Sequence, residues 1–115
     1  MTTHDLAPFL LEDIEFDPGH SLRLTDWREL MPVIQAAGRE GNGYTWEGIA
    51  RLLVARHLPD AADRLEHDSE SGMFAVYSSN REVLEALGVL MRDLYRSPEQ
   101  LGILLTSVDP DFFDD

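Results

Sequence analysis

Between Asn80 and Arg96 the chain sets Val83, Leu84, Leu87, Leu90, Met91, Leu94 and Tyr95 along one stripe, with Arg81, Glu82, Glu85, Arg92 and Asp93 outside it. Apolar residues recurring every three or four positions bury one face of a helix. Asn80 stands where its side chain can accept from the unpaired first-turn amides, so it is the expected cap. A second periodic set, Trp46, Ile49, Ala50, Leu53 and His57, predicts a helix that Thr45 caps and Pro59 stops. Upstream, Trp27, Leu30, Met31 and Ile34 follow Thr25 at helical spacing, with Thr25 as a candidate cap. Pro32 lacks an amide and clashes with the carbonyl four residues back, so this segment kinks or restarts near Met31 before Gly38 ends it. Ser97-Pro98 opens a last short helix, whose buried face is Leu101, Leu104 and Leu105.

The remaining apolar runs are short and sit beside turn residues. Phe9 to Phe16 and Leu22 to Leu24 flank Asp17-Pro18-Gly19-His20, which reads as a β-hairpin. Leu65 to Asp68 and Met73 to Ser78 bracket Ser69 to Gly72 as a second one, preceded by a further turn over Asp60 to Arg64. The order is ββααββαα, which predicts an α+β fold: an antiparallel sheet from two β-hairpins covered by helices. There is no residue-level repeat and no low-complexity linker, so residues 1–108 are expected to form one domain. Asp109 to Asp115 reads as an acidic tail carrying Phe112 and Phe113.

Composition narrows the partners. A chain of 115 residues buries roughly two-thirds of its unfolded surface, enough for one core. Without cysteine it has neither disulfides nor a thiolate metal site, so packing must stabilise it. A formal net charge of -13 repels phosphate backbones and anionic membranes and would speed association with a basic protein, such as a nuclease. Met1 to Phe16 carries His4, Asp5, Glu12, Asp13 and Glu15 where a secretion signal needs a basic segment and then an apolar one. The apolar runs, such as Ile103 to Leu105, fall far short of the ~20 residues that span a bilayer. These features predict a cytoplasmic protein.

Candidate chemistry is sparse. Asp68, Glu70 and Gly72 have the alternation of a calcium loop, but the glycine is displaced by one position and Ser79 stands where the closing glutamate belongs. His4, His20, His57 and His67 lack metal-ligand spacing, and His57 reads as a helix-end residue. No nucleophile signature surrounds Ser21, Ser69, Ser71, Ser78 or Ser97. Gly41 to Gly43 lacks the lysine of a phosphate loop, and Glu40 and Glu47 beside it would repel a phosphate. The expectation is therefore no catalysis, no metal and no cofactor. A small hydrolase would require several of Asp68, Glu70, His67 and His20 to converge in one deep pocket.

Two glycine-punctuated acidic-aromatic segments remain. They are Glu40-Gly41-Asn42-Gly43-Tyr44-Thr45-Trp46-Glu47-Gly48 and Asp68-Ser69-Glu70-Ser71-Gly72-Met73-Phe74, the latter followed by Ala75 and Tyr77. Together with Leu65 and the Arg81-Glu82 opening of the leucine-rich helix, they resemble the Imm51 group of bacterial immunity proteins. The similarity extends over roughly Phe9 to Leu105; the amino-terminal hairpin and the tail match loosely. These are small cytoplasmic antidotes that accompany secreted polymorphic toxins. The resemblance implies binding and neutralising a cognate toxin domain without catalysis. It carries over no established contact residues and does not name the toxin.

Both segments carry carboxylates and glycines that the leucine core does not require, and the topology can bring them to one sheet edge. Glu40, Asn42, Tyr44, Trp46, Glu47, Asp68 and Glu70 are therefore the candidate partner-binding residues. Trp46 also begins the periodic face of its helix, which favours core packing over partner contact. The alternative to an immunity protein is an acidic adaptor or regulatory module that binds a protein unrelated to toxins.

Overall fold

The structure is a computed structural model that describes residues 5–108; the tail at 109–115 and His4 lie outside them. The two hairpins join through their second strands. Strands β1 (Leu10–Asp13), β2 (His20–Leu24), β3 (Glu66–His67) and β4 (Phe74–Ser78) form one sheet in the order β1-β2-β4-β3, each neighbouring pair antiparallel. Register places Leu22 opposite Val76 and Leu24 opposite Phe74, so the four largest apolar side chains of the central pair share one face, fully buried. The alternate positions Ser21, Arg23, Ala75 and Tyr77 point the other way, where Arg23 and Tyr77 are partly exposed. The first strand is shorter than Phe9 to Phe16. The Ile14 amide bonds to the Gly19 carbonyl at 2.9 Å and closes the turn, while Phe9 leaves the strand for the core.

Helix α1 (Met31–Ala36) starts afresh at Met31 after a 3-10 turn over Arg28–Leu30, as Pro32 requires. Thr25 does not cap this segment; the Asp26 carboxylate accepts the Arg28 amide at 3.1 Å instead. Helix α2 (Gly43–His57) begins three residues earlier than expected, because Asn42 is its cap and not Thr45. Asn42 Oδ1 accepts the Thr45 amide at 3.0 Å while Thr45 Oγ1 accepts the Asn42 amide at 3.3 Å, a reciprocal box that satisfies both donors. A 3-10 turn over Pro59–Arg64 follows. Packing against β4, helix α3 (Arg81–Tyr95) and that turn buries Leu52 and Val54 as well as the expected stripe; His57, in the last turn of α2, is exposed. Asn80 caps α3 as predicted, accepting the Glu82 and Val83 amides. Helix α4 (Pro98–Ser107) starts after Ser97, whose side chain makes no capping bond.

An aromatic knot ties the layers together. Phe9 lies edge-on to Trp46, Phe74 and Tyr95 at centroid distances of 6.1, 6.3 and 6.1 Å. Trp46 stacks on Tyr95 at 5.8 Å and leans against Trp27 at 6.3 Å. Pairs of this kind add about 0.5–1.5 kcal/mol each beyond the area they bury. Arg92 and Arg96 of α3 hold the leading segment over this knot through the Asp5 and Ala7 carbonyls at 3.1 and 3.0 Å. At the far end, Asp13 Oδ1 accepts from His20 Nδ1 at 2.8 Å and Arg81 Nη1 at 2.7 Å, pinning the first hairpin to the start of α3.

Candidate functional site

The Gly41 to Glu47 segment is held from below and from the side. Gly41 has a φ of +81°, a conformation that favours glycine, and its carbonyl accepts the Trp27 indole N–H at 2.7 Å. Gly43 then presses directly on the second turn. Its amide donates to the Ser71 carbonyl at 2.9 Å, and a Cβ here would fall 1.9 Å from the Glu70 carbonyl oxygen and 2.3 Å from that of Met73. Only glycine permits that approach. Four residues on, Glu47 Oε1 faces the Ser69 amide at 3.4 Å and Oε2 faces Arg51 Nη2 at 3.4 Å.

The second turn is closed by its own bonds. Glu70 and Met73 exchange amide and carbonyl bonds at 2.8 and 3.1 Å, and Ser69 Oγ accepts the Ala75 amide at 3.2 Å. Two segments more than twenty positions apart thus form one continuous edge beside β4.

The candidate residues divide within that edge. Trp46 is fully buried and supports the edge from the aromatic knot, without a surface to offer a partner. Asn42 is half-buried as the helix cap, and Glu47 is half-buried between the turn and Arg51. Glu40, Asp68 and Glu70 are exposed. Tyr44 is 38% exposed and lies in the first turn of α2, not in the preceding loop.

Sequence reasoning missed what lies next to this edge. A cavity of about 490 Å³ opens between α2, the 59–64 turn and β3, lined by Arg51, Val54, Ala55, Ala62, Leu65 and His67. Burial holds His67 below the usual histidine pKa, the Arg51 guanidinium adds to this, and Glu47 opposes it. The only sequence signal was the i, i+4 spacing of Glu47 and Arg51. His20 does not join His67 here, nor do Asp68 and Glu70; His20 bonds Asp13 at the other end of the first hairpin. Among the described residues no group of three His, Asp or Glu side chains is placed to hold a metal ion.

The match to a family model described as Immunity protein 51 covers residues 9–110. The chain belongs to the Imm51 family. No curated protein and no solved structure matches it. In this Imm51 chain the two glycine-punctuated segments are the pair that dock on each other, and most of their unusual residues have a place in that contact. Among the described residues no helix is long and apolar enough to cross a membrane.

Two outcomes follow from this geometry. Gly43→Ala is expected to cost at least ~2 kcal/mol, because two backbone carbonyls must move, whereas Gly72→Ala, with open space around it, stays within about 0.5 kcal/mol of the parent. Urea unfolding of both variants measures this. For His67, the unfolded chain takes up a proton below the ordinary value of 6.5 that the folded chain resists. Its contribution is therefore full above that pH and is lost as pH falls toward the depressed folded value. The unfolding free energy of His67→Gln should decline less steeply than that of the parent as pH is lowered from 6.5.

Proposed function

We propose that this Imm51 chain is a cytoplasmic, non-catalytic antidote that binds a cognate toxin domain in the cell that makes it, and that the Gly41 to Glu47 and Asp68 to Met73 edge is its contact surface. Family membership over residues 9–110 carries the first part. The division of labour within the edge supports the second. Asn42, Gly43, Trp46 and Glu47 fix the shape, and Glu40, Tyr44, Asp68 and Glu70 remain at the surface. An exposed aromatic among carboxylates suits a basic partner, since the ring supplies desolvated contact area and the charges supply orientation. The net charge of -13 favours the same choice, and a nuclease with a basic substrate cleft is the preferred toxin. Covering that cleft would neutralise it with no reaction at the antidote.

Coexpression with the toxic domain encoded beside this gene tests the reading. The parent protein should rescue growth and form a stable complex. Tyr44→Ala and Glu70→Arg should each weaken that complex by at least ~2 kcal/mol at unchanged melting temperature, the loss expected of interface hot spots. No rescue and no complex with any neighbouring toxin would refute the function and favour an adaptor role. A complex indifferent to both substitutions would refute the site.

A further inference from the structure

The cavity between α2, the 59–64 turn and β3 lies beside the docked edge and borrows Val54 and Leu65 from the core, and its lining has an unusual make-up for this chain. Val54 and Leu65, both buried, and the methyl groups of Ala55 and Ala62 form its apolar walls. The two polar residues that line it are Arg51 and His67; no carboxylate is among the lining residues, and Glu47, 3.4 Å from the Arg51 guanidinium, stands just outside it in a protein of net charge -13. Register explains how His67 arrives there: it lies opposite Val76, on the core face of the sheet edge, and so under α2.

Both polar groups have unused capacity. His67 Nδ1 is buried without a hydrogen-bond partner among the described residues, a costly state for a ring nitrogen. Arg51 carries five donors, and its pairing with Glu47 spans 3.4 Å, longer than the 2.7–2.9 Å of a strong charge-assisted bond. We infer that this cavity is a binding pocket for a carboxylate carried on a short branched apolar stem, the carboxylate meeting Arg51 and His67 and the stem lying on Val54, Ala55, Ala62 and Leu65.

The planar guanidinium fork matches a carboxylate in two bonds and leaves an oxygen for the imidazole. A bound anion would also offset the Arg51 field and favour the charged imidazole. The volume of about 490 Å³ falls in the range of small-molecule sites, and its apolar walls favour an alkyl stem over a strongly hydrated phosphate. The carboxylate can belong to a free branched acid or to the end of a peptide chain, and both present the same chemistry. The inference rests on the cavity alone and not on the toxin-binding reading.

Amide NMR titration of the full chain with 4-methylpentanoate, 4-methylpentanamide, N-acetylglycyl-leucine and N-acetylglycyl-leucinamide tests it. Saturable shifts over residues 51–55 and 62–67 are expected with both acids, each binding at least about tenfold tighter than its amide. The tighter of the two acids identifies the source, free acid or chain end. Arg51→Gln and His67→Gln should each weaken binding about tenfold. Ala62→Phe should abolish it by filling the mouth while leaving both polar groups in place, and this variant decides the matter if either of the others fails to fold. Equal shifts with acid and amide, or no shifts in these residues with any probe, would overturn the assignment.

Discussion

The edge of this molecule depends on one steric constraint, the approach of the Gly43 backbone to the Glu70 and Met73 carbonyls. There is no room for a single carbon atom between them. Because Gly43 is also the first residue of α2, the contact fixes where that helix starts as well as where the second turn lies. Trp46, three residues further along the helix, then enters the knot formed with Phe9, Trp27 and Tyr95. The same segment therefore bonds outward to a turn and packs inward on the core, which couples the surface to the buried aromatic knot.

That coupling gives the functional reading its physical content. A binding edge held by caps, glycines and a buried indole loses little conformational freedom on association, so less of its interaction energy is spent on ordering. On the proposed reading, the exposed carboxylates would act over a longer range and orient a basic partner before contact. Shape and charge are supplied by different residues of the same motif. Substituting one class should therefore disturb folding, and substituting the other should disturb recognition.

Much of this was legible in the chain. The α3 stripe, its Asn80 cap and the restart at Met31 follow from local rules: helical spacing, side-chain capping and the missing proline amide. The element order and the family resemblance also held. The start of α2 was misread because Asn42 and Thr45 are both good capping residues three positions apart, and in a reciprocal box each has part of the cap's role. A helix capped by Thr45 would leave Tyr44 in the preceding loop, whereas it lies in the first turn of α2. The Arg51 and His67 cavity was out of reach, since it exists only where a two-residue edge strand passes beneath α2. No spacing in the sequence records that juxtaposition. The helical position of Trp46 favours the core over a partner, and its complete burial bears this out.

Hydrogen exchange of the complex with the neighbouring toxic domain, compared with the free protein, examines the central claim most directly. The account predicts new protection concentrated in the amides of residues 40–47 and 68–73, with the α4 amides of residues 98–107 exchanging as before. Protection confined to α4 or to the β1 edge, with the docked segments unchanged, would contradict it.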